Sequence, residues 1–226
     1  MPSPNEVLLY YPNLIGYARV VSMLTSFVLA TTNWRWSAFC YILAFAGDAI
    51  DGAVARKFNQ SSLFGGVLDM VTDRVSTAGL LLILGGFYPD LSLWFLMLMI
   101  LDIASHWMHV SSVQGHHKSA GSLEGRNWLL RLFYGSYPFF AYLCVGTEVF
   151  YIILYLLHFL PDTAIKLEGA EITLLQVLIQ KRNHLTLPNL TQPYPAGRTV
   201  TNTSMQVSYV CFPACVLKQA VNLAQL

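Results

Sequence analysis

Four aspartates and an arginine stand in a stretch of chain that is otherwise apolar. Asp48 and Asp51 lie toward the end of the apolar run from Trp36 to about Ala55, and Arg56 follows it. Asp69 and Asp73 lie in the first half of the next run, from about Gly65 to Tyr88. Ionisable groups inside such runs are costly, and by default they mark a functional site.

Helical geometry brings them together. At about 100° per residue, Asp51 falls about 60° from Asp48 on one side and Gly52 about 40° away on the other. Ala55 returns to within about 20° of Asp48, and Arg56 lies about 80° away. On the next run, Gly65, Asp69 and Asp73 advance only about 40° per step and share a stripe. The short connection from Lys57 to Phe64 makes the two helices antiparallel neighbours, so all four carboxylates can converge.

Four carboxylates in one low-dielectric place cannot all ionise unaided. Two divalent cations would balance them. Oxygen ligands select hard ions such as Mg²⁺, Mn²⁺ or Ca²⁺ over zinc. Two such ions about 3.5–4 Å apart clamp a diphosphate during attack at phosphorus. Gly52 and Ala55 let a phosphate or nucleotide approach the backbone, and Arg56 offers a planar fork for phosphate. The expected site is a two-metal phosphoryl-transfer centre. Two other readings compete: helix-to-helix polar glue, and an ion path. An ion transporter would give metal-dependent flux without release of a nucleotide.

Written out, Asp48-x2-Asp51-Gly52-x2-Ala55-Arg56-x8-Gly65-x3-Asp69-x3-Asp73 resembles the signature of the CDP-alcohol phosphatidyltransferases. The resemblance spans roughly residues 5 to 160. It implies an integral membrane enzyme of six helices. It implies that Asp48, Asp51 and Asp69 hold two metal ions, Mg²⁺ or Mn²⁺, with Asp73 also at the metal site. Asp73 would take the proton from the acceptor alcohol. Gly52, Arg56 and Ser62 would contact CDP-diacylglycerol, with Ala55 and Gly65 as further substrate contacts. CMP would be the leaving group. Membrane prenyltransferases also set aspartates and Mg²⁺ on a diphosphate, but their motifs lack the Gly-x2-Ala-Arg continuation.

Within the family, Pro12-Asn13-Leu14-Ile15-Gly16-Tyr17-Ala18-Arg19 and Leu101-Asp102-Ile103-Ala104-Ser105-His106-Trp107-Met108-His109 are similar to segments of the eukaryotic inositol-using branch. So are Asp48-Ala49-Ile50-Asp51-Gly52 and Leu68-Asp69-Met70-Val71-Thr72-Asp73-Arg74. That implies myo-inositol as acceptor, with glycerol phosphate or serine as alternatives. A neutral polyhydroxyl ring needs several hydrogen bonders, and Lys118, Asn127 and Arg131 are the candidates. Arg19 and Arg74 either bind phosphate or neutralise the aspartates. Asp102 reads as a structural partner, His106 and His109 as packed and hydrogen-bonded, and Glu148 as paired.

The elements that must hold this site are membrane helices. Of 226 residues, 55% are hydrophobic and 11% charged, against roughly 25% charged in a soluble domain. Mean hydropathy is +0.50. Disorder is excluded, because disorder needs low hydrophobicity and high charge. A net charge of +1 gives no basic excess for nucleic acid. The expected fold is an all-α polytopic membrane bundle. Five spans are legible: Leu14–Thr32, Trp36 to about Ala55, about Gly65 to Tyr88, Leu91–Val110 and the long run Trp128–Leu160. The last should be one tilted helix or one broken near Gly135 and Pro138. Ser111–Arg126 reads as a polar loop.

Arg56, Lys57, Lys118 and Arg126 follow spans two and four, which places those loops, the N-terminus and the site on the cytosolic side. Met1–Asn13 has no basic n-region, so no cleavable signal is expected, and the resemblance implies the endoplasmic reticulum membrane. Cys40, Cys144, Cys211 and Cys215 match no zinc spacing and read as small apolar residues. Residues 1–160 form the expected catalytic core and 161–226 a divergent C-terminal segment. Pro161–Ser208 holds no convincing span, and Tyr209–Leu226 reads as part of a sixth helix, displaced and cut short. Its altered packing would weaken folding or a homodimer contact.

Overall fold

The computed structural model describes residues 3–115, 128–159 and 203–225, and among these every regular element is helical. The order is α1 (Pro4–Leu8), α2 (Tyr11–Leu29), α3 (Trp34–Lys57), α4 (Leu63–Phe87), a 3-10 turn (Pro89–Leu91), α5 (Ser92–Gly115), α6 (Trp128–Gly135), α7 (Tyr137–Phe159) and α8 (Thr203–Gln225). The all-α expectation holds. Among the described residues, three stretches are long and apolar enough to cross a membrane: Trp34–Lys57, Pro89–Ser111 and Tyr137–Phe159. Helices α2 and α4 have the length of spans, 19 and 25 residues, with Arg19 on the first and Asp69, Asp73 and Arg74 on the second.

The helices form two compact units, one of Met1–Ile83 with Leu96–Ala104, the other of Leu84–Phe95 with Ser105–Leu226. In the first unit, local chemistry sets each helix end. Ser3 and Glu6 form a reciprocal capping box on α1. Pro12 sits in the first turn of α2, where its missing N–H costs nothing, and Asn33 caps α3. Arg56 and Lys57 stand in the last turn of α3, where the helix dipole favours cations. That helix ends in a Schellman turn. Asn59 is left-handed, with φ 52°, and Gln60 N–H donates to Ala55 O at 3.0 Å. Ser62 then opens α4 by accepting from Gly65 N–H at 3.0 Å.

Near the α2–α3 connection, Ser37 Oγ donates to Ser26 O at 2.9 Å, with both serines buried. The same unit leaves Val21, Leu24, Val28, Phe39, Ile42 and Leu82 exposed. So much outward apolar surface suits lipid and not water.

In the second unit, Phe133, Leu143, Ala214 and Val221 form a core joining α6, α7 and α8. Gly146 lets α8 come close: a Cβ there would lie 2.6 Å from Ala214 Cβ. Tyr88 O–H donates to Leu154 O at 2.9 Å, and Phe87 stacks on His158 at 3.9 Å between ring centroids.

One open alternative is decided and two expectations change in detail. The long run from Trp128 is broken at Ser136 between α6 and α7, next to Gly135, as the break reading expected. Helix α5 continues to Gly115, so it takes the first five residues of the expected loop. The sixth helix is longer than expected: α8 has 23 residues, begins before Tyr209, and keeps Pro213 inside it.

Candidate active site

Helices α2, α3 and α4 build the site. Asp48 and Asp51 come from the last turns of α3, and Asp69 and Asp73 from the first half of α4. The predicted convergence is present, and its centre is a guanidinium. Arg19 of α2 reaches Asp51 Oδ2 at 2.5 Å and Asp69 Oδ1 at 2.6 Å through one terminal nitrogen. Through the other it reaches Asp73 Oδ1 at 2.6 Å and Asp48 Oδ1 at 3.2 Å. Its side chain is 4% exposed, whereas those of Asp48, Asp69 and Asp73 keep 39%, 43% and 33%. Three of the carboxylates therefore open outward, while Asp51 and the arginine are buried behind them.

Packing fixes the arginine. Its Nε donates to Ala44 O at 3.2 Å. Its methylenes lie where a side chain on Gly47 would be, since a Cβ there would sit 2.7 Å from Arg19 Cγ. Farther along α4, Arg74 holds Asp102 with contacts of 2.8 and 2.7 Å to its two oxygens, and stands 3.8 Å from Asp73 Oδ2.

Beside the carboxylates runs an open cleft of about 190 Å³, lined by Asp51, Gly52, Ala55, Ser62, Gly65 and Asp69 with Pro12, Asn13 and Gln60. Asn13 is 1% exposed. Its amide donates to Val7 O, while its Oδ1 has no partner and lies 2.7 Å from where a Gly65 Cβ would be. A buried acceptor without a donor is costly, so a donor from a ligand would be gained there. Arg56 is exposed and leans back over Gly52, with a terminal nitrogen 3.4 Å from a Cβ built there.

The donor set fits a hard divalent cation. One oxygen from each of Asp48, Asp51 and Asp69 lies within 4.8 Å of the other two, and all the donors are carboxylate oxygens. Of the residues singled out in the sequence, the four aspartates share one cluster, and Gly52, Ala55, Ser62 and Gly65 share the adjoining cleft. Arg131 lies exposed on α6 in the second unit, and Lys118 and Asn127 fall outside the described residues. Of the two roles left open for Arg19, phosphate contact or neutralising partner of the aspartates, its four ion pairs are those of the second. Asn13 was given no role by its spacing, and only packing reveals its orphaned oxygen.

Comparison with known proteins decides the family. The model of the CDP-alcohol phosphatidyltransferases matches residues 9–166. The chain belongs to the CDP-alcohol phosphatidyltransferase family. Within it, the chain is 48% identical over 158 residues to CDP-diacylglycerol–inositol 3-phosphatidyltransferase 1 of Arabidopsis thaliana, covering 69% of each chain. It is 45% identical over 163 residues to the Homo sapiens CDP-diacylglycerol–inositol 3-phosphatidyltransferase, covering 70% of this chain and 75% of that one. The Schizosaccharomyces pombe enzyme of the same name matches over 225 residues at 35% identity, 99% of this chain and 87% of its own. No solved structure matches. The matched span of the family contains the whole carboxylate cluster and its cleft.

Proposed function

We propose that this protein transfers the phosphatidyl group of CDP-diacylglycerol to myo-inositol, giving phosphatidylinositol and CMP. One observation carries the reading: four carboxylates from two helices converge beside a cleft lined by glycines, in a family that performs this chemistry on CDP-alcohols. The names of the Arabidopsis, human and fission yeast relatives support inositol as the acceptor.

The residues divide the work. Asp48, Asp51, Asp69 and Asp73 would hold two Mg²⁺ or Mn²⁺ ions. When bound, such ions neutralise the diphosphate and the charge that develops at phosphorus. Asp73, with one oxygen facing away from Arg19 toward Arg74, takes the hydroxyl proton of inositol. The inositol oxygen forms a bond to the phosphorus that carries the lipid. The bond from that phosphorus to the bridging oxygen breaks, and its electron pair leaves with CMP. Gly52 and Gly65 let the nucleotide approach the backbone, while Arg56 and Ser62 contact its diphosphate end. Ser62 Oγ already accepts from Gly65 N–H, so its hydroxyl proton is the part left for a substrate. Asn13 Oδ1 accepts from a ligand donor in the same cleft. Lys118, Asn127 and Arg131 are proposed to approach the inositol ring.

The catalytic core is placed in residues 1–160, with 161–226 as a divergent C-terminal segment; the family match over residues 9–166 supports that boundary. Helices α2 and α4 span the membrane with the three apolar helices, giving five spans, and the site faces the cytosol in the endoplasmic reticulum. All four carboxylates belong to one chain, and a homodimer would serve stability.

Purified protein should be given CDP-diacylglycerol with inositol, serine, glycerol phosphate or choline, and CMP counted. CMP release with inositol alone, dependent on Mg²⁺ or Mn²⁺, is expected. Equal release with serine or glycerol phosphate would move the acceptor, and release in a chelator would end the metal reading.

A further inference from the structure

The guanidinium at the centre of the carboxylates has a role that the reaction does not require of it. We infer that Arg19 is a resident counter-cation, which holds the four aspartates together before divalent ions bind and gives them up when the ions arrive. The inference rests on reading those aspartates as metal ligands.

Three observations carry it. First, Arg19 makes contacts of 3.2 Å or less to all four aspartates, two through each terminal nitrogen. A planar fork can serve two pairs of oxygens at once, which a lysine ammonium cannot. Second, it uses oxygens of Asp51 and Asp69, two of the three residues whose donors already cluster within 4.8 Å. A guanidinium at 2.5–2.6 Å takes up one oxygen of each carboxylate and part of its negative charge, so the two cations compete for the same carboxylates. Third, the arginine is seated by contacts that do not involve the carboxylates. Its Nε is bonded to Ala44 O, and its methylenes fill the space left by Gly47. Withdrawal turns the planar guanidinium as a unit about the Cδ–Nε bond, so the Ala44 bond is released with the carboxylates while the methylenes keep their place beside Gly47. One positive charge balances one of four negative ones, so Arg19 stabilises the empty cluster without saturating it.

The test measures binding and folding, apart from turnover. Wild type, Arg19→Gln, Arg19→Lys and Gly47→Ala are purified in detergent. Mn²⁺ binding is read from the electron paramagnetic resonance of free Mn²⁺, and unfolding temperature is read in chelator and in excess Mn²⁺. Gly47→Ala keeps the charge but pushes the Arg19 stem, so it acts even if Arg19→Gln does not fold. In Arg19→Gln the Mn²⁺ dissociation constant should fall at least tenfold. Its unfolding temperature should drop in chelator and recover to that of wild type in Mn²⁺. Gly47→Ala and Arg19→Lys should shift the same way by less. Unchanged or weaker Mn²⁺ binding in Arg19→Gln and Gly47→Ala, with wild type binding normally, would overturn the inference alone. No Mn²⁺ binding by wild type, with Asp51→Asn indistinguishable from it, would overturn the metal reading and this inference together.

Discussion

Adding one methyl group at Gly65 should cost substrate affinity. A Cβ there would lie 2.7 Å from Asn13 Oδ1 and 3.2 Å from Ser62 Oγ. Asn13 cannot simply retreat, because it is 1% exposed and its amide is bonded to Val7 O. Overpacking of this kind costs about 1–3 kcal/mol. Losing the Asn13 amide bond would add about 1 kcal/mol. Against this, alanine gains at most about 1 kcal/mol of helix propensity over glycine. The fold should therefore lose no more than roughly 1–3 kcal/mol, and the protein should remain intact. The cleft changes more, since Gly65, Ser62 and Asn13 all line it. A loss of about 1–2 kcal/mol of CDP-diacylglycerol binding corresponds to roughly 5- to 30-fold in kcat/KM, expressed mainly in KM.

The assay is CMP release against CDP-diacylglycerol concentration for wild type, Gly65→Ala, Asn13→Ala and the double variant. Because the overlap is chiefly with Oδ1, the double variant should be better than the sum of the two single losses by about 1 kcal/mol. Unchanged KM in Gly65→Ala, or strict additivity in the double variant, would refute the placement of Asn13 against Gly65 in the substrate cleft.

Asp73→Asn removes the proposed proton acceptor, and CMP release should fall by about 10²–10⁴-fold while the protein stays folded, measured by initial rates beside thermal unfolding. Asp102→Asn loses one of the two charged contacts to Arg74; since Arg74 is 24% exposed, the stability loss should be about 1–3 kcal/mol, read as a lowered unfolding temperature. Gly146→Ala meets Ala214 Cβ at 2.6 Å and should cost about 1–3 kcal/mol, whereas Gly86→Ala, with nothing within 4 Å, should be neutral or stabilise by up to about 1 kcal/mol in the same measurement.

The carboxylates were legible because membrane helices tolerate so few charges. Asp48 to Asp73 stand out against an apolar background, and helical phase alone aligns them. Helix α3 and α4 boundaries fell within two residues of the apolar runs for the same reason. The break at Ser136 was legible from Gly135 and Pro138, which weaken a helix on each side. What stayed hidden depended on third partners. Arg19 was left between phosphate and the aspartates, because no spacing rule links it to Asp69, fifty residues away. Asn13 gives no sign in sequence that one of its two polar atoms is satisfied and the other is not. The end of α5 was missed because the mostly polar segment Ser111-Ser112-Val113-Gln114-Gly115 continues a helix that the preceding apolar run had already nucleated.

The connection between α3 and α4 behaves as a gauge block. Surface loops usually accept extra residues. Here both ends are consumed by counted bonds: Gln60 N–H reaches back to Ala55 O, and Ser62 Oγ reaches forward to Gly65 N–H. Gln60 Oε1 is also occupied, accepting from Tyr11 N–H at 2.9 Å. An inserted residue would have nowhere to go without releasing one of these three. If absorbed by α4, it would rotate Asp69 and Asp73 by about 100° away from Asp48 and Asp51. The eight residues between Arg56 and Gly65 thus set a dimension, much as a shim sets the gap between two machined faces.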